Sequence, residues 1–155
     1  MKIGIIVHSQ TNNTRSVALN LQEKLKDAGN EVEIHRVKMV GGDRPEKKEN
    51  IELENVPDVT EYDALIFGAP VHAFSLAPAM QIYMEQLPSL QDKKVALYVT
   101  KNLRFEWTGG SRAIGQMKNY IYSKNGNLMG TGIVIWNKQR DKKIVELANR
   151  FAKLF

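Results

Sequence analysis

Apolar residues fall in short runs that alternate, along the whole chain, with stretches of helical spacing. Residues 2–7, KIGIIV, form an apolar run stopping at a polar cluster, the mark of a strand buried on both faces. From Thr14 onward Val17, Leu21, Leu25 and Ala28 recur at helical spacing, and Gly29-Asn30 supplies a left-handed stop. Glu31 to Val37 then alternates Val32 and Ile34 with charged residues, as a half-exposed edge strand does. Residues 38–60 are charged, contain Gly41-Gly42, Pro45 and Pro57, and carry only a weak apolar pattern. A structureless loop of roughly twenty residues is unusual in a compact domain, so a short helix is expected inside it.

The run Ala64-Leu65-Ile66-Phe67 reads as a third strand ending abruptly at Gly68-Ala69-Pro70. A helix is predicted from about Leu76 to Leu87, with Ser75 as N-cap and Pro78 in its first turn. Met80, Tyr83, Met84 and Leu87 are its core side chains. Lys94–Thr100 gives a fourth strand, Ser111–Lys124 a helix with Ile114, Met117 and Ile121 inward, and Asn127–Trp136 a fifth strand. A last helix from about Lys138 buries Ile144, Ala148 and Phe151, whereas Tyr120 and Tyr122 need no functional explanation. Five strands alternating with helices imply a doubly wound α/β fold, a five-stranded parallel sheet covered on both faces. No internal repeat or linker divides residues 1–155, and one domain is expected.

In such sheets ligands bind beyond the carboxyl ends of the strands, so the turns after strands one, three and four carry the candidate chemistry. After the first strand, Ser9-Gln10-Thr11-Asn12-Asn13-Thr14 leads directly into a helix N-terminus, where backbone N–H groups and three hydroxyls can converge on a phosphate dianion. The plainer alternative is a solvated turn capped by Asn13 or Thr14. No GxxxxGK[ST] or GxGxxG follows the first strand, which argues against a nucleotide triphosphatase and a standard dinucleotide fold.

Composition narrows the chemistry further. The 155 residues include no cysteine, which removes disulfides, thiolate metal sites, iron–sulfur clusters and a cysteine nucleophile together. Any redox function then needs a bound organic cofactor. The start, MKIGIIVHSQ, is too short in apolar residues for a signal-peptide core and no run approaches a membrane span, so a soluble, cytoplasmic protein without membrane contact is expected. The net charge of +5 is uneven: residues 101–155 hold 11 basic and 3 acidic side chains, against 11 and 14 in residues 1–100. That asymmetry points to an acidic partner or nucleic acid, but no basic stretch matches a nucleic-acid motif.

The segment SQTNNT resembles the phosphate loop of the flavodoxin family, usually Ser/Thr-x-Thr-Gly-Asn-Thr. Tyr62 to Val71 resembles that family's third strand and flavin loop, Glu85-Gln86-Leu87 follows it, and Phe105 to Gly110 is similar to a third loop of short flavodoxin-like proteins. The resemblance covers nearly the whole chain and implies strand order 2-1-3-4-5 with one FMN at the strand ends. It assigns Ser9, Gln10, Thr11, Asn12, Asn13 and Thr14 to the phosphate. Pro70, Val71, His72, Ala73, Phe74 and Ser75 would line one side of the isoalloxazine, and Thr100, Lys101, Asn102, Phe105, Trp107, Gly109 and Gly110 the other. Asn12 departs from the family's glycine; it tolerates left-handed backbone angles but adds bulk. The sequence pI near 9.4 also departs from the acidic electron carriers, so their usual redox partners are not assumed.

Among single residues, Trp107 and Phe105 suit a flat contact with flavin. Phe74 suits either a ring cap or a hydrophobic staple. His72 suits either a hydrogen bond to flavin or an exposed loop position, while His8 and His35 read as structural or exposed. Lys101 and Arg104 would favour the anionic reduced flavin by Coulomb attraction, the alternative being solvated surface charge. The leading function is electron transfer with a redox partner protein, and the alternative an FMN-dependent NAD(P)H:quinone-type oxidoreductase. A signalling receiver domain would need an acidic cluster after strand one and an aspartate ending strand three, where this chain has His8-Ser9 and Gly68-Ala69. A nucleic-acid module would show binding that falls steeply with salt.

Overall fold

The computed structural model describes residues 1–43, 47–102 and 109–155. Its elements run β1 (Lys2–Val7), α1 (Asn13–Asp27), β2 (Glu31–Arg36), a 3₁₀ turn (Lys48–Asn50), β3 (Ala64–His72), β4 (Ser75–Leu76), α2 (Pro78–Glu85), β5 (Lys94–Lys101), α3 (Gly110–Ser123), β6 (Asn127–Ile135) and α4 (Arg140–Ala152). The five parallel strands lie in the order β2-β1-β3-β5-β6, the expected order with β4 added as a short antiparallel partner of β3.

The two faces of the sheet are covered separately. Ile3, Ile5, Val7, Ile66 and Tyr98 pack against α1 and α4, while Ile6, Leu65, Phe67, Leu97 and Val99 pack against α2 and α3. Alternation along each strand divides its side chains between two cores, which is why the central strands read as continuous apolar runs. Strand β2 has β1 as its parallel neighbour, and most of it is half-buried. Tyr62, ahead of β3, is buried and reaches this edge: its hydroxyl donates to Glu33 Oε2 at 2.5 Å and pairs with His35 Nε2. Burial and the Glu33 carboxylate hold the Tyr62 phenol far above its ordinary range.

Two local expectations change. Strand β3 does not stop at Phe67 but continues through Pro70 to His72. Strand β1 ends opposite Gly68, so one side of β3 has no parallel neighbour beyond it and a residue without an N–H is tolerated there. Ser75 is not a helix cap: it is bridged to His72 in β4, and with Pro78 at the first helical position the N-cap falls on Ala77, with no side-chain cap. The short helix expected in the 38–60 segment is the 3₁₀ turn Lys48–Asn50, and a Met39–Leu53 bridge closes the base of the segment.

Candidate functional site

The predicted turns meet at the carboxyl ends of the strands. A cleft of about 70 Å³ is lined by Gln10, Thr11 and Asn13 after β1, by Pro70 and Val71 at the end of β3, and by Thr100, Lys101 and Asn102 at the end of β5. Asn12 takes the N-cap of α1 with φ 66° and makes no side-chain cap bond, so the left-handed angle is adopted without glycine. Ser16 N–H is the donor to Asn12 O, at 2.9 Å, and the N–H groups of the turn ahead of it have no intrahelical partner. Ser9 is 2% exposed and its Oγ has no hydrogen-bond partner.

Thr14 is turned inward instead. Its hydroxyl pairs with the Thr100 hydroxyl at 2.8 Å, and its carbonyl accepts from Tyr98 Oη at 2.8 Å, all buried. Tyr98 reaches Thr14 across Gly68, its register partner in β3; a methyl group there would lie 2.2 Å from the phenol ring carbon. The absent side chain makes the tyrosine's path, and the tyrosine pins the start of α1. Full burial holds the Tyr98 phenol well above its ordinary range, so it stays a donor.

Beneath the same turn, Arg36 Nη2 donates to Ser9 O at 3.3 Å and lies 3.4 Å from Asp43 Oδ2, while Arg36 Nε is buried without a partner. His8 is fully buried with Nδ1 3.0 Å from Val37 O and Nε2 unpartnered, and burial pushes its pKa below the ordinary 6.5. His8 is therefore structural, in agreement with the sequence.

The wall after β3 is a two-residue hairpin. His72 and Ser75 pair across it, and Ala73 and Phe74 hold φ of 48° and 63°. Two consecutive positive angles are the geometry of a type I′ turn, ordinarily made with Asn and Gly. Phe74 is 54% exposed, which is a presented ring and not a staple. Gly109, at φ 112°, approaches the Phe74 backbone so closely that a methyl group would lie 2.6 Å from it, and Gly110 packs beside Lys101 at the start of α3. Phe105, Trp107 and Arg104 lie outside the described residues. His72, Ala73 and Ser75 open instead on a second cleft of about 440 Å³, which they share with Lys47, Lys48, Glu49 and Pro78.

Residues 1–141 match the family model described as NADPH-dependent FMN reductase. The chain belongs to that family. A search of curated proteins returned no match. Among solved structures, this family member is similar to the two-electron reduced flavodoxin of Megasphaera elsdenii, at 24% identity and a TM-score of 0.71 over 97% of this chain and 98% of that one. It is similar to Flavodoxin 2 of Bacillus cereus at 20% identity, TM-score 0.72, over 100% of both chains. It is also similar to a Lactobacillus acidophilus flavoprotein solved in complex with FMN, at 18% identity and TM-score 0.64, covering 92% and 97%. The fold is flavodoxin-like.

FMN is the cofactor that membership implies, and the first turn fits its phosphate. A buried hydroxyl without a partner, a helix start with unpaired N–H groups and a left-handed Asn12 are what a dianion at a helix N-terminus uses. Sequence reasoning missed Tyr98, Gly68 and Arg36, which hold this turn from below. The Gly68–Tyr98 pairing depends on strand register, which no single segment displays, whereas Arg36 was accessible as the last residue of an edge strand beside a phosphate turn.

Proposed function

We propose that the chain binds one FMN across these turns and works as an electron-transfer flavoprotein. The buried, unpartnered Ser9 Oγ beside the open start of α1 carries this reading. When bound, FMN supplies one- and two-electron transfer. Ser9, Gln10, Thr11, Asn12 and Asn13 hold its phosphate, with Thr14 fixing the turn. Pro70 and Val71, with the exposed Phe74 ring, form one wall against the isoalloxazine, and Thr100 to Asn102 with Gly109 and Gly110 the other. Lys101 is 4% exposed at the cleft, and its charge stabilises the anionic reduced flavin. Lys101→Ala is then expected to lower the two-electron potential, measured by potentiometry. The absence of disulfide-forming cysteine in a small domain supports a cytoplasmic location.

Fluorescence titration of FMN-free chain with FMN tests the binding. Quenching at one equivalent that Ser9→Ala weakens supports it, and no saturable quenching removes it. A second reading, an FMN-dependent reductase using NADPH, is favoured by the family match and by the 440 Å³ cleft, where Lys47 and His72 suit a nucleotide phosphate and Lys48 is paired with Glu85. No helix among the described residues is long and apolar enough to cross a membrane. Steady-state oxidation of NADPH by FMN-loaded chain separates the readings: turnover with quinone selects the reductase, and its absence selects the carrier.

A further inference from the structure

The basic residues of the C-terminal third divide by their place on the helices. Lys124 is the C-cap of α3, and Arg150 and Lys153 lie in the last turn and at the C-cap of α4, where the helix dipole favours cations. Arg112 instead lies in the first turn of α3, Lys138 just ahead of α4, and Arg140, Lys142 and Lys143 within the first four residues of α4. The dipole opposes cations at that end, yet all five are exposed. Among the described residues Asp141 and Glu146 are the acidic side chains of α4 beside them, Glu146 at 3.4 Å from Lys143. Helix stability therefore does not explain the placement.

Position does. Helix α3 follows β5 and α4 follows β6, so both helix starts lie on the strand-end rim that holds the small cleft. Trp136 N–H donates to Lys101 O at 2.8 Å, Lys101 lines that cleft, and the Arg140 guanidinium stands over the Trp136 ring at 5.4 Å from its centroid. We infer that this basic rim, Arg112 with Lys138, Arg140, Lys142 and Lys143, docks an acidic protein that exchanges electrons at the neighbouring cleft. The exchange rests on the FMN reading; the docking does not. It is a single-electron transfer with no bond made or broken, in which the reduced centre of the partner is oxidised and the flavin reduced. Clustering at one mouth, rather than along a groove, suits a protein more than a nucleic acid.

The probe is a plant-type ferredoxin, an acidic [2Fe–2S] protein. Binding of labelled ferredoxin to the full chain is followed by fluorescence anisotropy, and reduction of FMN-loaded chain by reduced ferredoxin by stopped flow. Both are expected to weaken about tenfold or more between low and high salt, as steered association does. Lys138→Glu/Lys142→Glu, two substitutions that suit a helix start, is expected to cost at least as much at low salt. Lys118→Glu/Lys153→Glu changes the net charge equally and is expected to leave both unchanged. Equal losses in the two double variants overturn the proposal, since bulk charge would then account for binding. Tighter binding of a DNA duplex than of ferredoxin at physiological salt overturns it in favour of a nucleic-acid face. Failure to take up FMN removes the redox reading alone, and the anisotropy series still decides the docking.

Discussion

The turn after β1 and the hairpin after β3 border the same strand ends and are built in opposite ways. The first is held from beneath by side chains of other strands: Tyr98 on Thr14 O, Thr100 on Thr14 Oγ1 and Arg36 on Ser9 O. The second is a tight backbone turn braced from outside by α3, whose Gln116 Oε1 accepts from Leu76 N–H at 2.7 Å, with two non-glycine residues at positive φ and a phenyl ring 54% exposed at its tip. A dianion needs donors fixed in advance, and buried hydrogen bonds fix them. A wall against a flat ring needs an aromatic surface turned outward, and the strained backbone that presents it is held by the packing around it, Gly109 on the Phe74 backbone and Gln116 on the Leu76 N–H.

Breaking the support of the first turn should give the largest effect. In Gly68→Ala the new methyl group meets the Tyr98 ring at 2.2 Å, far inside contact distance, and Tyr98 cannot keep its path to Thr14. A loss of about 3 kcal/mol in stability is expected, read from urea denaturation, with FMN affinity falling alongside. Tyr98→Phe is milder, because it leaves the packing and removes only the donor to Thr14 O. A loss of about 1–2 kcal/mol is expected for the carbonyl left buried. If Tyr98→Phe leaves both stability and FMN affinity at wild-type values, the first turn is not held from below.

These two positions also mark where the sequence stopped being legible. The five strands, the helices between them and the turns that meet at the small cleft follow from local patterns: an apolar run, a helical repeat, a polar turn between them; the strand order and the individual cleft residues come from the resemblance to the flavodoxin family. Asn12 was readable as left-handed because its side chain tolerates that angle. What local pattern does not carry is which residues face each other across strands. Gly68 reads as the end of a strand and Tyr98 as one more apolar residue until the β3–β5 register pairs them. The hairpin was missed for a related reason. Ala-Phe is a poor type I′ sequence, and only the His72–Ser75 pairing and the packing of Gly109 on the Phe74 backbone reveal it.

The hairpin predicts an effect of opposite sign. Replacing Ala73-Phe74 by Asn-Gly gives the turn the residues its angles favour, and stability is expected to rise by about 1 kcal/mol in the same urea assay. FMN affinity is expected to fall, because Phe74 no longer presents a ring. Stability and affinity would then move apart at the hairpin while moving together at Gly68. A double variant that gains stability and keeps full FMN affinity would show that Phe74 has no part in the site.

The smallest effect separates the two regions by pH. His8 lies under the first turn, fully buried, and its pKa is lowered first by burial; Arg36 lowers it further, while the Val37 carbonyl and Asp43 act the other way. A histidine whose folded pKa lies below its unfolded value of 6.5 takes up protons more readily when unfolded, so its neutral form contributes stability that is complete above that value. The contribution is lost as pH falls from 6.5 through the folded pKa. His8→Asn keeps a side-chain N–H for Val37 O and removes the titration. In the FMN-free chain, the urea midpoint of the wild type should therefore drop more steeply than that of His8→Asn between pH 7 and 5.5, by roughly a few tenths of a kcal/mol or more. The Asn-Gly hairpin variant should follow the wild-type slope, since its substitutions lie outside the His8 cluster. Parallel slopes for wild type and His8→Asn would mean that the buried imidazole does not couple the first turn to protons.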